Sequence, residues 1–385
     1  MRAATGLSQI EEARAAGVGA ALQARGTEED RPDLAVVFAS PHFAERADVV
    51  VDGVREAANP KGLIGCVAEA VVGGDREIEA EPAVSVWLGW LPGTVTTFHS
   101  AYSDGGTFSG WPEGSPGSIV LICDPYSYPA DGLLNHLNGS TPRAAVIGGF
   151  ASGGSAPGET RLFFDGGVVD SGAVGVAVGE GLELLPLVSQ GCRPIGSSFT
   201  ITKAERNVIY ELGGRSPMDR VRELYESLDV EDRALLSRGL LVGRVVDEYK
   251  SSDFEPGDFV VRGVVGADPE SGALAIADTP SVGQTIRFHI RDARSADEDL
   301  DRALTAARVR LGERGIAGAL LFTCNGRGAR MFDAPDHDAR LISERLEGLP
   351  LAGFFAAGEL GPVGDKNFVH GFTASLALFL EPESR

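Results

Sequence analysis

The sequence predicts a mixed α/β fold in two lobes, built from strand–helix–strand–glycine-loop units and antiparallel β segments. Three observations lead there. Short Val- and Leu-rich runs bounded by Pro and Gly recur along the chain and read as strands. A strand, a helix and a second, glycine-rich strand follow one another in three places. A separate run of β signals occupies residues 239–290. The length of 385 residues fits two domains better than one.

The N-terminal segment, MRAATGLSQIEEARAAGVGAALQARG, has no continuous apolar run and carries acids early. It reads as an amphipathic helix over 1–29, not a signal peptide. The first unit is DLAVVFAS (33–40), a helix in ADVVVDGVREAANP (47–60), then GLIGCVAEAVVGG (62–74). The second is GSIVLICDPY (117–126), DGLLNHLNGSTP (131–142) and AAVIGGFASGGSAPG (144–158). The third is AGALLFTCNGRG (317–328), HDARLISERLEGLP (337–350) and LAGFFAAGELGPVG (351–364). The interval from strand end to glycine is 25 positions from Ser40 to Gly65, 24 from Asp124 to Gly148 and 29 from Cys324 to Gly353. Short helical crossovers of this kind favour parallel pairing with right-handed connections.

Alternating strands follow each loop: AVSVWLGWLPG (83–93), AVGVAVGEGLELLPLV (173–188) and FTASLALFLE (372–381). GSSFTITKAERNVIYEL (196–212) reads as a hairpin, and LLVGRVV, GDFVVRGVVGADPESGALAIAD and TIRFHI as a meander turning at ADPESG. Ser216 and Pro217 supply the N-cap and first-turn proline of a helix over MDRVRELYESL. A longer helix spans about 297–314. Gly213-Gly214 precedes the capped helix and marks a boundary, giving an N-terminal helix at 1–29 and domains at 30–213 and 214–385.

Composition narrows the function. The 55 acids and 34 bases leave a net charge of −21, which repels phosphate backbones and anionic lipid, so nucleic acid is not an expected partner. No stretch of 18 apolar residues predicts membrane insertion. The four cysteines form no CxxC pair and read as reduced thiols in a cytoplasmic protein, with no metal-ligand spacing. Enzyme signatures fail: SGGSAPG misses the GxSxG elbow, GVGAAL lacks the last glycine of a dinucleotide loop, and no GK[ST] exists.

LAVVFASPHF followed by LIGCVAEAVVGGDREIE resembles the N-terminal half of the FIST domain. PMDRVRELYESL, FEPGDFVVRGVVG, LLFTCNGRG, AGFFAAGELGPVG and NFVHGFTASLALF, in that order, resemble its C-terminal half. The resemblance covers roughly residues 30–385. It implies a sensory domain for small ligands, amino acids among them, as in bacterial and eukaryotic signalling. With no output segment in the chain, it implies a stand-alone sensor read by a partner such as a histidine kinase or another signalling protein. Some bacterial members of the family are described as haem proteins that sense nitric oxide, so haem is the alternative cofactor. One departure stands out: members often show Gly-Cys-Ser and a following Gly, where this chain has Gly65-Cys66-Val67 and Ala70.

The glycine loops supply the candidate site. Glycines let backbone N–H groups approach a ligand closely. Gly65, Cys66 and Glu69 come from the first unit, Ser152 and Gly153 from the second, and Asn325, Gly326, Arg327, Gly358 and Glu359 from the third. A carboxylate such as Glu69 or Glu359 can take an ammonium group, and Arg327 can grip a carboxylate bidentately. Together they suit an amino acid held between the lobes. A hydrolase-like pairing of Glu69 with Glu359 is a further alternative. Of the six histidines, His42 and His370 sit at strand ends and are the candidate haem ligands, although a lone histidine is ordinarily a hydrogen-bonded or surface residue and no CxxCH motif occurs.

Overall fold

The computed structural model describes residues 1–382 apart from 104, 115, 141–142, 166, 249, 251–253 and 255–256. The end of the DGLLNHLNGSTP stretch and part of FEPGDFVV therefore lie outside the described residues.

Three segments, 2–90, 95–178 and 183–380, repeat one order of elements. Each has a flanking strand, a leading strand, a crossover helix, a second strand, a two-strand hairpin and a closing strand. In repeat one these are Arg2–Ser8, Leu34–Ala39, Ala47–Ala58, Gly62–Val67, Val71–Gly73 with Arg76–Ile78, and Val84–Trp90. In repeat two they are Val95–Tyr102, Ser118–Cys123, Ala130–Asn138, Ala145–Phe150, Leu162–Phe164 with Gly167–Val169, and Ala173–Val178. In repeat three they are Glu183–Gln190, Ile316–Cys324, His337–Arg345, Leu351–Ala356, Glu359–Val363 with Lys366–His370, and Thr373–Leu380. An additional helix precedes the leading strand in repeats one (Ala13–Arg25) and three (Ala293–Leu311).

Leading and second strands pair in parallel in every repeat, the arrangement that the short crossovers favour. The hairpins do not stay at home. Val71–Gly73 of repeat one pairs with Leu351–Ala356 of repeat three. Leu162–Phe164 of repeat two pairs with Gly62–Val67 of repeat one. Glu359–Val363 of repeat three pairs with Ala145–Phe150 of repeat two. Each sheet is thus finished by the hairpin of another repeat, in a closed cycle.

The fold is mixed α/β with two compact bodies. The larger comprises Met1–Val188, Leu300–Val369 and the chain from Ala374; the smaller comprises Ser189–Asp299 with His370–Thr373. This division differs from the expected one at Gly213-Gly214. Repeat three supplies one of three sheets and is bound to the other two by exchanged strands, so it cannot separate from them. The chain from 189 to 299 is an insertion within repeat three, between its flanking strand and its first helix.

In the larger body the inner faces of the three sheets enclose a common core. Val36, Phe38 and Ile64 meet Val120, Ile122, Ile147, Leu320 and Phe322 there, with Phe354 centred 5.1 Å from Phe38 and 5.6 Å from Phe322. Crossover helices cover the outer faces over the leading strands, which is why those strands are apolar on both sides. The two helices of repeat one meet backbone to backbone: a Cβ on Gly17 would lie 2.3 Å from the Val50 carbonyl oxygen.

Three readings change. Residues 2–8 form a strand against Val84–Trp90, and the first helix occupies only Ala13–Arg25 of the expected 1–29. AVGVAVGEGLELLPLV divides at Gly179–Gly181 into strands of two different sheets, because a turn there sends the chain on to repeat three. The expected glycine loop at 357–364 is mostly strand, drawn out by its pairing with repeat two.

The smaller body is a closed six-stranded barrel: Cys192–Glu205, Val208–Leu212, Leu274–Ile276, Phe259–Ala267, Leu240–Val245 and Thr285–Arg291. Closure removes free edges. Ile201, Ile209, Leu274, Phe288 and Ile290 fill it. Ser216 caps the helix Pro217–Ser227 as expected, its Oγ accepting from the Asp219 N–H at 3.2 Å.

Gly65, Gly148 and Gly353 hold the same place in the three second strands. A Cβ there would sit 1.8, 1.8 and 2.1 Å from the carbonyl oxygens of Val37, Leu121 and Leu321. Gly65→Ala is therefore expected to cost about 3 kcal/mol, read as a lower urea midpoint. Gly117→Ala, where a Cβ meets nothing within 4 Å, should leave the midpoint in place.

Candidate functional site

Hairpin exchange draws the crossing segments of all three repeats together at the carboxyl ends of their parallel strands. The Glu69 N–H donates to Ser152 Oγ at 2.9 Å, and the Ser152 hydroxyl donates to the Phe355 carbonyl. Phe355 N–H donates to the Ala70 carbonyl at 3.0 Å, Phe150 N–H to Gly358 at 2.8 Å, and Asn325 N–H to Ala356 at 2.9 Å. One mouth thus gathers Glu69, Ser152, Gly153, Asn325, Gly326 and Gly358. Glu69, Ser152, Gly153, Asn325 and Gly326 are half-buried, and Gly358 is buried. Gly153 packs so closely on Val67 that a Cβ would lie 2.6 Å from its side chain. Open α/β sheets bind ligands at this end of their strands.

Gly65 and Cys66 lie elsewhere. Both are buried in the second strand, and burial pushes the Cys66 thiol well above its ordinary range. Their place in the sheet makes them packing residues.

Arg327 is wholly buried and committed to Asp338. Its Nε and Nη2 donate to Asp338 Oδ2 and Oδ1 at 2.7 and 2.8 Å, and Thr323 Oγ1 donates to Oδ2 at 2.7 Å. Phe332 lies under the guanidinium at 5.1 Å and stacks on His337 at 3.4 Å. Burial works against the charge on each partner, and their mutual attraction more than restores it. Asp338 is held well below the usual carboxylate range, and Arg327 is raised further by Cys324 and Glu359 nearby. Glu359 is itself completely buried, opposite Gly149 in the sheet. The expected roles therefore shift. Arg327 is turned inward to Asp338, and Glu359 is a strand residue of the interior, not a loop carboxylate facing solvent.

The exchanged hairpin of repeat one brings two more carboxylates to this cluster. Glu77 Oε1 accepts from the Ala339 N–H at 2.9 Å, in the first turn of the helix His337–Arg345, and the Glu77 N–H donates to Asp336 Oδ1 at 2.7 Å. Glu79 Oε1 accepts from the Ala329 N–H at 2.9 Å. Burial, and then the neighbouring charge of Asp338, push the Glu77 carboxyl up to about 8. Glu77 is thus neutral at pH 7, which lessens the cost of leaving its Oε2 without a hydrogen bond.

At the surface of the mouth, Arg330 Nη2 lies 3.2 Å from Glu69 Oε1, with side chains 73% and 39% exposed. Sequence reading misses Arg330, Glu77 and Asp338. The only available signal is the second arginine of Gly326-Arg327-Gly328-Ala329-Arg330, three positions on and one helical turn toward solvent. His42 is exposed, its Nδ1 3.2 Å from Ser40 Oγ, while His370 is buried at the end of Lys366–His370. Among the described residues no group of three or more His, Cys, Asp and Glu is placed to hold a metal ion, and no helix is long and apolar enough to cross a membrane.

Residues 33–215 match the FIST N domain and residues 217–362 the FIST C domain. The chain belongs to the FIST family. It is 46% identical over 386 residues to an uncharacterized protein of Mycobacterium bovis, covering 99% of both chains. It is 45% identical over 391 residues to an uncharacterized protein of Mycobacterium tuberculosis, covering 99% of this chain and 100% of the relative. FIST domains are associated with sensing in signal transduction. The FIST N match runs from Asp33 to Arg215, so it takes in repeat one from its leading strand onward, all of repeat two, the flanking strand of repeat three and the first barrel strands. The FIST C match ends inside the exchanged hairpin of repeat three.

Two outcomes are expected of the buried cluster. The folded Glu77 binds its proton more tightly than the unfolded chain, whose carboxyl titrates near 4.5. Its contribution to stability is therefore full at low pH and is lost as pH climbs from about 4.5 to about 8. Glu77→Gln should flatten that part of a plot of melting temperature against pH. Asp338→Asn leaves a buried guanidinium without its counter-charge and should cost about 3–5 kcal/mol by chemical denaturation.

Proposed function

We propose that this FIST protein is a sensor that holds a small zwitterion, an amino acid being the fitting class, at the mouth between its crossing segments. A signalling partner such as a histidine kinase then reads the bound state. One observation supports this most: the Glu69–Arg330 pair displays one charge of each sign, side by side and in contact with water. An exposed pair of this kind contributes under about 1 kcal/mol and opens readily. A ligand ammonium can replace Arg330 at Glu69, and a ligand carboxylate can replace Glu69 at Arg330. Ser152, Asn325 and Gly326 border the pair and add hydrogen-bonding groups. Arg327, Asp338 and Glu77 lie behind it and fix the turn that carries Arg330. The reading is one of binding, with no chemical step.

Calorimetric titration with each of the twenty amino acids tests it. At least one is expected to bind with 1:1 stoichiometry and to raise the melting temperature. Glu69→Gln and Arg330→Gln should each weaken that binding about tenfold, as for one lost charge-assisted bond, without lowering the melting temperature of the unliganded protein. If no amino acid binds and the purified protein shows a strong Soret band, the zwitterion reading is replaced by a haem one.

A further inference from the structure

Repeat two departs from its sisters at one position. In repeats one and three a helix joins the flanking strand side to the leading strand, and in repeat one that helix lies directly on the flanking strand, where a Cβ on Gly6 would sit 2.0 Å from the Ala20 carbonyl oxygen. Repeat two has residues 103–117 in that place, where the described residues form the two-residue strand Phe108–Ser109 and no helix. The outer face of its sheet, at Phe98, Ala173 and Ala177, is covered by Phe108 and Trp111 instead of a helix. These rings form one pair, Phe98 to Trp111 at 5.2 Å, and one run of three, Tyr102 to Phe108 at 5.0 Å and Phe108 to Tyr128 at 5.4 Å.

The aromatic cover does not fill the space a helix would take. A cavity of about 750 Å³ remains, walled by Tyr102, Phe108 and Trp111 on one side and by Leu133, His136 and Leu137 of the crossover helix on the other. That size falls in the range of pockets for small organic ligands, about 300–1,000 Å³. Among the described residues, no Asp, Glu, Lys or Arg lines it, in a chain where 23% of residues are charged. The contrast with the Glu69–Arg330 mouth is chemical. An ionic ligand would lose its hydration here without meeting a counter-charge among the described residues. A flat aromatic one would gain both buried area and ring stacking.

We propose that this cavity is a second ligand site, specific for an uncharged, planar aromatic molecule. The walls of Tyr102, Phe108 and Trp111 receive the ring system, and His136 and Ser140 stand at the lining to meet one polar substituent.

The test uses the full chain and N-phenyl-1-naphthylamine, an uncharged aromatic dye that brightens in apolar surroundings. Saturable binding of one dye per chain is expected. Gly132 lines the cavity and a Cβ there meets nothing within 4 Å, so Gly132→Phe starts its side chain from open space at the cavity wall. It should weaken dye binding by about tenfold or more while the melting temperature holds or rises, since glycine is a poor helix residue. If Gly132→Phe does not fold, Gly132→Leu makes the same test with a smaller side chain. Glu69→Gln should leave dye binding unchanged. Enhancement that does not saturate, that survives filling of the cavity, or that disappears in Glu69→Gln overturns the proposal.

Discussion

The exchange of hairpins is the constraint on which the larger body depends. Each of the three sheets lacks an edge until another repeat supplies it, and a bare strand edge is both unsatisfied and prone to pairing wrongly. Passing Val71–Gly73, Leu162–Phe164 and Glu359–Val363 around the cycle satisfies all three edges at once. It also forces the crossing segments to meet. Glu69, Ser152 and Gly358 come from three distant parts of the sequence, and they adjoin because the strands that follow them must cross to another sheet.

The buried charges follow from the same arrangement. Arg327 and Asp338 are brought to the end of a sheet whose edge is closed by the hairpin carrying Glu77. Burial of an ion pair stabilises little by itself, because desolvation offsets most of the attraction. Its value here is positional. The bidentate geometry, the Thr323 hydroxyl and the Phe332–His337 stack leave the turn at 325–328 one arrangement, and Arg330 is aimed outward from it.

Local signals in the sequence reached the strands, the crossovers and the Ser216 cap, because each of those is decided within a few residues. The three repeats and their parallel pairs were legible for that reason. The partners of the hairpins were not: nothing in Gly-Glu-Leu-Gly-Pro says that the segment will extend along Ala145–Phe150, and a strand so placed buries Glu359. Arg327 was misread on the same ground, since its partner Asp338 lies across a turn, in the crossover helix that follows. The glycines of the second strands read as ligand loops, yet Gly65 is small because a neighbouring carbonyl leaves no room. The strand at 2–8 was hidden by its alanines and glycine, which suit close packing under a helix.

The closed cycle of strands also sets an order on synthesis. The hairpin at 71–78 leaves the ribosome early, but the strand that receives it, Leu351–Ala356, is among the last segments made. Repeat two waits in the same way for Glu359–Val363. Contacts this distant in sequence form slowly, and an open sheet held in waiting invites aggregation. The barrel strands and helices, by contrast, all lie within 192–291 and can pair as soon as that stretch emerges. A nascent chain of this protein therefore carries a finished inserted barrel before its larger body is complete, and truncation before the last strands spares the sheet built from repeats one and two but leaves the other two sheets without their partners.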